Sequence, residues 1–372
     1  MLKLKQFHDI ANDPITYARR WKTETRGRVV GFFCSYAPEE IIWAAGALPY
    51  RILGAGGSIS RADGHLQAYS CSLVRGALDD ALTGKLDFLD GAVFPHTCDS
   101  IQRLSDIWRL NAGLGFHLDL VLPVKLNTSS AQDYMQAVIK KFHHDLEERL
   151  GVEITPEKLS KAVQTFNQIR TALQRIYQIR KDQPAILSSS DLHAIVNASM
   201  VMDRNVLADR LSAVVDLLET QRAETAMPRK RLVLAGGICS MPEIYQPIEE
   251  AGGIVVWDDF CTGSRYFEGT IDLEGDLLNS IARRYFNRII CPAKHRDCFS
   301  RGDYLLKMVK NTGAQGVIFV LLKFCDPHAF DFPYIKELLD RAGIPSMLLE
   351  IEDQQTSEEQ IRTRLEAFIE FI

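Results

Sequence analysis

Eight short runs of nearly unbroken apolar residues, four toward each end of the chain, limit its fold more than any other feature. The first four are "RVVGFF" (28–33), "ALPYRIL" (47–53), "LDGAVF" (89–94) and "LDLVLPV" (118–124). The other four are "RLVLAGG" (231–237), "GIVVWDD" (253–259), "GVIFVLL" (316–322) and "SMLLEIE" (346–352). A strand apolar on both sides must be covered on both faces, which suits parallel strands connected through helices. Helical patterns do lie between the runs, so the reading is α/β, with a four-stranded parallel sheet in each half.

The middle of the chain differs. From about 131 to 228 there is one glycine, Gly151, and the pattern is amphipathic helix almost throughout. Thr155 is the expected N-cap of a long helix, with Pro156 and Glu157 in its first turn. Leu159, Val163, Phe166, Ile169 and Leu173 then fall three or four apart on one face. A second long helix follows Met202. The expected division is an α/β domain over 1–130, a helical domain over 131–228 and a second α/β domain over 229–372.

At 372 residues and 46% hydrophobic, the chain has material for two or three cores. Its 43 basic and 48 acidic residues are interspersed, giving a net charge of −5 and no basic stripe of the kind nucleic-acid binding uses. No window is apolar enough for a membrane span, and the start lacks the apolar stretch of a secretory signal. The expectation is a cytoplasmic protein with no nucleic-acid or membrane partner. Its eight cysteines then serve packing, catalysis or metal binding rather than disulfides.

Their positions matter more than their number. In both halves the first strand runs into a cysteine-bearing loop, "GFFCSYAPEE" and "LAGGICSMPE", and the third ends at another, "VFPHTCDS" and "LLKFCDPH". Ligands gather at the carboxyl ends of parallel strands, where Cys34, Cys98, Cys239 and Cys325 emerge. Cys98 opens a helix whose inward face is Ile101, Leu104, Ile107 and Trp108. Cys71 opens another, and Cys325 precedes a helix entered around Pro333. Unsatisfied N–H groups and the dipole at a helix start favour an anionic sulfur. Three such thiolates suit an iron–sulfur cluster with one iron left open. The same cysteines serve equally as small buried hydrophobes, and no C-x-x-C pair decides between the two. Zinc fits less well, because the one close pair, Cys291 and Cys298, is seven apart.

The segments "FFCSYAPEEIIWAAGALPYRIL", "YSCSLVRGAL", "HTCDSIQRLSDIW", "DFCTGSRY" and "KFCDPHAFDFPYIKELLDRAGIPSMLLEIED" resemble, in order, the 2-hydroxyacyl-CoA dehydratase and benzoyl-CoA reductase subunit family. "HTCDSIQRLSDIW" and "CPAKHRDCFSRGDYL" are nearer the benzoyl-CoA reductase subunits. The resemblance implies two Rossmann-like domains with a helical domain, and a 4Fe-4S cluster on Cys71, Cys98 and Cys325. It implies an acyl-CoA substrate, a homologous or identical partner subunit, and an ATP-dependent iron–sulfur activator that delivers low-potential electrons. This chain shows no G-x-x-x-x-G-K-[ST] of its own. Some relatives hold a double-cubane 8Fe-9S cluster, whose paired C-x-C is replaced here by "IICPAKHRDCFS".

Three readings follow. The chain is the iron–sulfur subunit of a radical enzyme on acyl-CoA, either dehydrating or reducing a ring; or a homodimeric double-cubane reductase; or a scaffold and electron-relay subunit beside a catalytic homologue. Ser35, His96 and His328 are candidates to touch substrate or cluster, the two histidines lying within three residues of Cys98 and Cys325. Tyr36 is placed on the loop with Ser35. Cys34, Cys261, Cys291 and Cys298 either pack nearby or join a larger cluster, and Cys239 is read as structural. "LAGG" (234–237) is read as a tight turn rather than a phosphate loop. Glu350 and Glu352 are further candidates for proton transfer.

Overall fold

The computed structural model describes residues 2–54, 59–221, 229–238, 244–288, 291–352 and 358–372. Strands β1 (Arg28–Phe32), β2 (Ala47–Arg51), β3 (Gly91–Pro95) and β4 (Phe116–Leu120) form one parallel sheet in the order β2-β1-β3-β4. Strands β5 (Lys230–Gly236), β6 (Gly253–Asp259), β7 (Gly316–Leu322) and β8 (Ser346–Ile351) repeat that plan as β6-β5-β7-β8, again all parallel. Each apolar run overlaps one of these strands, the fourth only over 118–120 because β4 starts at Phe116 and ends at Leu120, and the fold class read from them holds.

Helices α1 (Leu2–Asn12) and α2 (Pro14–Thr25) precede the first sheet, and α3 (Glu39–Ala44), α4 (Ser72–Leu82) and α5 (Asp99–Asn111) connect its strands. The middle stretch holds α6 (Ser129–Leu150), α7 (Pro156–Asp182), α8 (Ser189–Ser199) and α9 (Arg204–Thr220). The second sheet carries α10 (Tyr245–Glu250), α11 (Leu277–Asn287), α12 (Ser300–Thr312), α13 (Asp326–Arg341) and α14 (Glu358–Phe371). Thr155 caps α7 by accepting from Lys158 N, and Asp203 caps α9 by accepting from Asn205 N and Val206 N. No described helix is long and apolar enough to cross a membrane.

Alternation along each buried strand divides the core between its two faces. Val29, Leu48, Ala92 and Phe94 pack on one face of the first sheet with α1, α4, α5, α8 and α9. Val30, Phe32, Ala47 and Val93 pack on the other with α3, α6, the start of α7 and α11. The middle helices therefore bury their side chains in the same two clusters as the first sheet. In the second sheet Leu232, Leu234, Ile318 and Val320 meet α10 and α14, while Val233, Ala235, Val317 and Phe319 meet α12 and α13.

Helix α13 differs from expectation. It starts at Asp326, directly after Cys325, and Pro333 lies inside it. Pro327, in the first turn, is the proline that marks the start, where its missing N–H costs nothing. Pro333 gives up one internal bond in a helix held by the burial of Ile335 and Leu339. Putting the start at Pro333 mistook an interior proline for the boundary.

Candidate functional site

In each sheet the strand order reverses beside the first strand, between β1 and β3 and between β5 and β7. Loops leaving the carboxyl ends of such strands diverge and open a crevice. Cys34 and Ser35 follow β1, Cys98 follows β3, and Cys325 follows β7. Cys71, Cys98 and Cys325 are the N-caps of α4, α5 and α13. Phe324, just before Cys325, has φ +66°, a left-handed conformation that a bulky residue holds only when its surroundings impose it. Cys239 lies outside the described residues.

The thiols from both halves share one electrostatic neighbourhood. Burial pushes the Cys98 thiol up to about 12; the backbone N–H of Ile101 opposes this, while Cys71, Cys34 and Cys291 add to it. Burial likewise raises Cys325, reinforced by Cys71, Cys98 and Cys291 and opposed by the His328 N–H. Burial raises Cys291 to about 12, with Cys261 adding to it and Arg265 opposing. Cys261 behaves differently. Burial would raise it, but Arg265, Arg51, Arg288 and a hydrogen bond from Ser35 together hold it below the usual thiol range. Cys298 is exposed.

Among the described residues, no three His, Cys, Asp or Glu side chains close on a single metal ion. A cubane asks for something else, since its thiolates bind separate iron corners and need not meet at a point. Soft sulfur donors at three helix starts, two of them faced by backbone N–H groups, are a donor set that fits such a group. Leu53 and Leu73 from one half pack in one apolar cluster with Ile238, Cys261, Leu322 and Cys325 from the other, while Cys71 and Cys98 pack into the core of the first half.

Ser35 is buried and tied to the second half, its carbonyl and hydroxyl both accepting from Arg288. Buried His328 is held neutral, because desolvation first, then Arg265 and Arg301, pull its pKa well below the usual value. Its Nδ1 has no hydrogen-bond partner among the described residues, and its ring lies beside Gly237. The His96 ring bonds instead to Asp119 on the neighbouring strand at 2.8 Å, in a network with Ser105 and His117. Glu350 is exposed on β8, and Glu352 pairs with Lys323 at 2.7 Å.

Sequence reasoning did not single out the cations. Buried Lys294 donates to the His96 and Leu122 carbonyls, each at 2.9 Å. Burial lowers its pKa to about 8 against the opposing pull of Cys34, Cys291 and Cys98. Glu39 and Glu40, in the first turn of α3, are clamped from three other helices. Arg204 of α9 pairs with Glu39 at 2.7 Å, and Arg170 of α7 and Arg284 of α11 pair with Glu40. This clamp fixes the loop that carries Cys34, Ser35 and Tyr36.

Over residues 34–372 the chain matches the family model described as 2-hydroxyglutaryl-CoA dehydratase, D-component. It is 26% identical over 364 residues to the (R)-phenyllactyl-CoA dehydratase beta subunit of Clostridium sporogenes, covering 98% of this chain and 97% of that one. To a benzoyl-CoA reductase subunit of Thauera aromatica it is 27% identical over 368 residues, 96% and 94% of the two chains. To the lactoyl-CoA dehydratase subunit beta of Anaerotignum propionicum it is 28% identical over 374 residues, 99% and 98%. Identity thus favours neither the dehydratase nor the reductase branch.

Proposed function

The chain belongs to the 2-hydroxyglutaryl-CoA dehydratase D-component family, and from that premise we propose that it is the iron–sulfur subunit of an enzyme acting on an acyl-CoA thioester. Cys71, Cys98 and Cys325 hold a 4Fe-4S cluster, charged with low-potential electrons by an ATP-dependent activator protein. The observation that carries this reading is that three helix-capping thiols from both halves lie within electrostatic reach of one another.

When bound, such a cluster supplies single-electron reduction of the acyl group. The chain's own residues do the rest. Each ligating thiol must lose its proton, and the N–H groups of Ile101 and His328 then face an anionic sulfur. Leu53, Leu73, Ile238 and Leu322 exclude water, which strengthens every charge interaction inside. Ser35 fixes the Cys261 thiol. His328, kept neutral, holds one ring proton and is positioned to donate it or to orient a bound carbonyl. The relatives above are each named as one subunit of an enzyme, which supports a homologous or identical partner.

A second reading is favoured by the further thiols, because Cys34, Cys261 and Cys291 lie in the same electrostatic neighbourhood. Six sulfurs together suit a double-cubane 8Fe-9S cluster. Oxygen-free purification with iron and sulfide analysis separates the readings: about four irons per chain supports the first and about eight the second. Cys98→Ser should lose most of the iron. A folded, colourless wild-type chain without iron would overturn both, and full activity of the reconstituted Cys98→Ser complex without a cluster would leave a scaffold role.

A further inference from the structure

On the Cys261 side of the thiols, the structure buries three arginines beside Asp259, Asp331 and Glu268, carboxylates that must also serve Arg301 and Arg284. Arg51 ends β2, Arg265 lies in the turn after β6, and Arg288 follows α11; they are 3%, 1% and 5% exposed. All three guanidiniums act on the Cys261 thiol, and Arg265 acts on Cys291 as well. Asp259 pairs with Arg265 at 3.1 Å but also carries Arg301 at 2.7 Å. Arg288 donates from Nη1 and Nη2 to Ser35 and the Arg265 carbonyl, and Arg51 lies over the Phe32 ring at 5.6 Å.

Several donors remain. Arg51 Nε and Nη1, Arg265 Nη1, Arg288 Nε and the Tyr36 hydroxyl are buried with no hydrogen-bond partner among the described residues. Arg288 lies 4.9 Å from the centre of the Tyr36 ring, and Tyr36 is itself within electrostatic reach of Cys34, Cys261 and Cys291. Burying a donor without an acceptor is costly, and burying unpaired positive charge costs more. Such groups concentrated beside one set of sulfurs mark a place shaped for negative charge rather than for packing alone.

We infer that Arg51, Arg265, Arg288 and Tyr36 form an anion-stabilising cradle on the Cys261 and Cys291 side of the cluster proposed on Cys71, Cys98 and Cys325, and make that cluster easier to reduce by one electron. The inference rests on the iron–sulfur reading above. One electron arrives from an external reductant, no bond in the protein forms or breaks, and the guanidiniums and phenol face the added charge. Arg265 and Arg288 are tied into backbone carbonyls, so Arg51 is the residue to change with least disturbance.

The test is a potentiometric titration of the oxygen-free chain with titanium(III) citrate, oxidised to titanium(IV) as the cluster is reduced, followed by electron paramagnetic resonance. Arg51→Gln should keep the wild-type iron content while its midpoint falls by at least about 59 mV, a tenfold loss in the one-electron reduction constant. Arg51→Lys should recover at least half of that shift. An unmoved midpoint in Arg51→Gln at wild-type iron content overturns the cradle and leaves the iron–sulfur reading standing. A wild-type chain without iron overturns both. If Arg51→Gln loses iron, Tyr36→Phe replaces it, removing a donor without altering charge: a smaller negative shift is expected, and no shift overturns the inference.

Discussion

Glu40→Gln should destabilise the first half of the molecule severely. The Glu40 side chain is 0% exposed and its arginine partners Arg170 and Arg284 are 6% and 3% exposed, so solvent screens the network little. Tyr285 adds a hydroxyl donor to Glu40 at 3.2 Å. Burial pushes the Glu40 pKa up, but Arg170 and Arg284 outweigh it and hold the carboxyl below its ordinary range. Removing the carboxylate leaves two buried guanidiniums facing each other, and breaking a buried pair in this way costs about 3–5 kcal/mol. For a unit of the size of the first sheet and its helices, about 2–4 °C per kcal/mol makes this a drop of about 6–20 °C in Tm. Glu40→Gln combined with Arg170→Met should lose less than the sum of the two single changes, because the second removes one of the stranded charges. A carboxylate with a lowered folded pKa adds stability above its unfolded value of 4.5 and loses it as pH falls through the folded pKa. The deficit of Glu40→Gln should therefore shrink below about pH 4.5. Scanning calorimetry of the oxygen-free protein measures all of this. A Glu40→Gln variant melting within about 2 °C of wild type, less than the cost of one stranded charge, would refute the reasoning.

Gly236→Ala should give little folded protein, because Gly236 has φ +149° and an added Cβ would penetrate the Val320 carbonyl across the β5–β7 ladder. Backbone strain and overpacking together cost about 2–6 kcal/mol, and wild-type yield and Tm would contradict this. Burial, with a smaller contribution from His8, lowers the His193 pKa from 6.5 to about 4. A buried neutral histidine must charge when the chain unfolds in acid, so stability is retained above pH 6.5 and falls toward pH 4, by about 3 kcal/mol in total. His193→Gln should flatten that part of the stability–pH curve in urea denaturation at pH 7.5 and about 5; an unaltered slope would count against it. Phe94→Ala removes a ring packed on Phe33 at 4.8 Å and Trp108 at 5.5 Å and should cost about 3–5 kcal/mol by the same assay.

What could be read in advance depended on how local the physical signal was. Buried parallel strands write themselves as continuous apolar runs, and α7 announces its start through Thr155 and Pro156; both are properties of adjacent residues. His96 shows the limit. Its nearness to Cys98 in sequence pointed toward the thiols, whereas its ring meets Asp119, a neighbour only because Phe94 pairs with Asp119 in the β3–β4 register. The arginines were hidden for the same reason. Arg51, Arg265 and Arg288 are far apart in the chain and carry no periodicity, so nothing distinguishes them from surface cations until the two halves meet.

That meeting is what the repeated topology accomplishes. A single β2-β1-β3-β4 sheet opens one crevice, where the loops after β1 and β3 diverge, and Cys34 and Cys98 stand on those loops. The second sheet opens an equivalent crevice with Cys325 after β7, so two crevices facing each other enclose sulfurs from both halves. Leu53 and Leu73 on one side join the apolar cluster of Ile238, Cys261 and Leu322 on the other. Apolar contacts enclose the sulfurs, and polar cross-ties run from Arg284 and Tyr285 to Glu40, from Arg288 to Ser35 and from Lys294 to the His96 carbonyl. The last two come from the segment after α11, which continues the strap that α11 begins. Cutting one tie alone, as in Lys294→Met, leaves Arg288 and the apolar contacts in place. The halves should stay together while the carbonyls of His96 and Leu122 lose their donor, and the loop after β3 that presents Cys98 should loosen. Hydrogen exchange at residues 96–98 reads this directly: faster exchange there with protection of β1 and β3 unchanged is the expected result. Protection lost across both sheets would show that Lys294 holds the halves together rather than the loop.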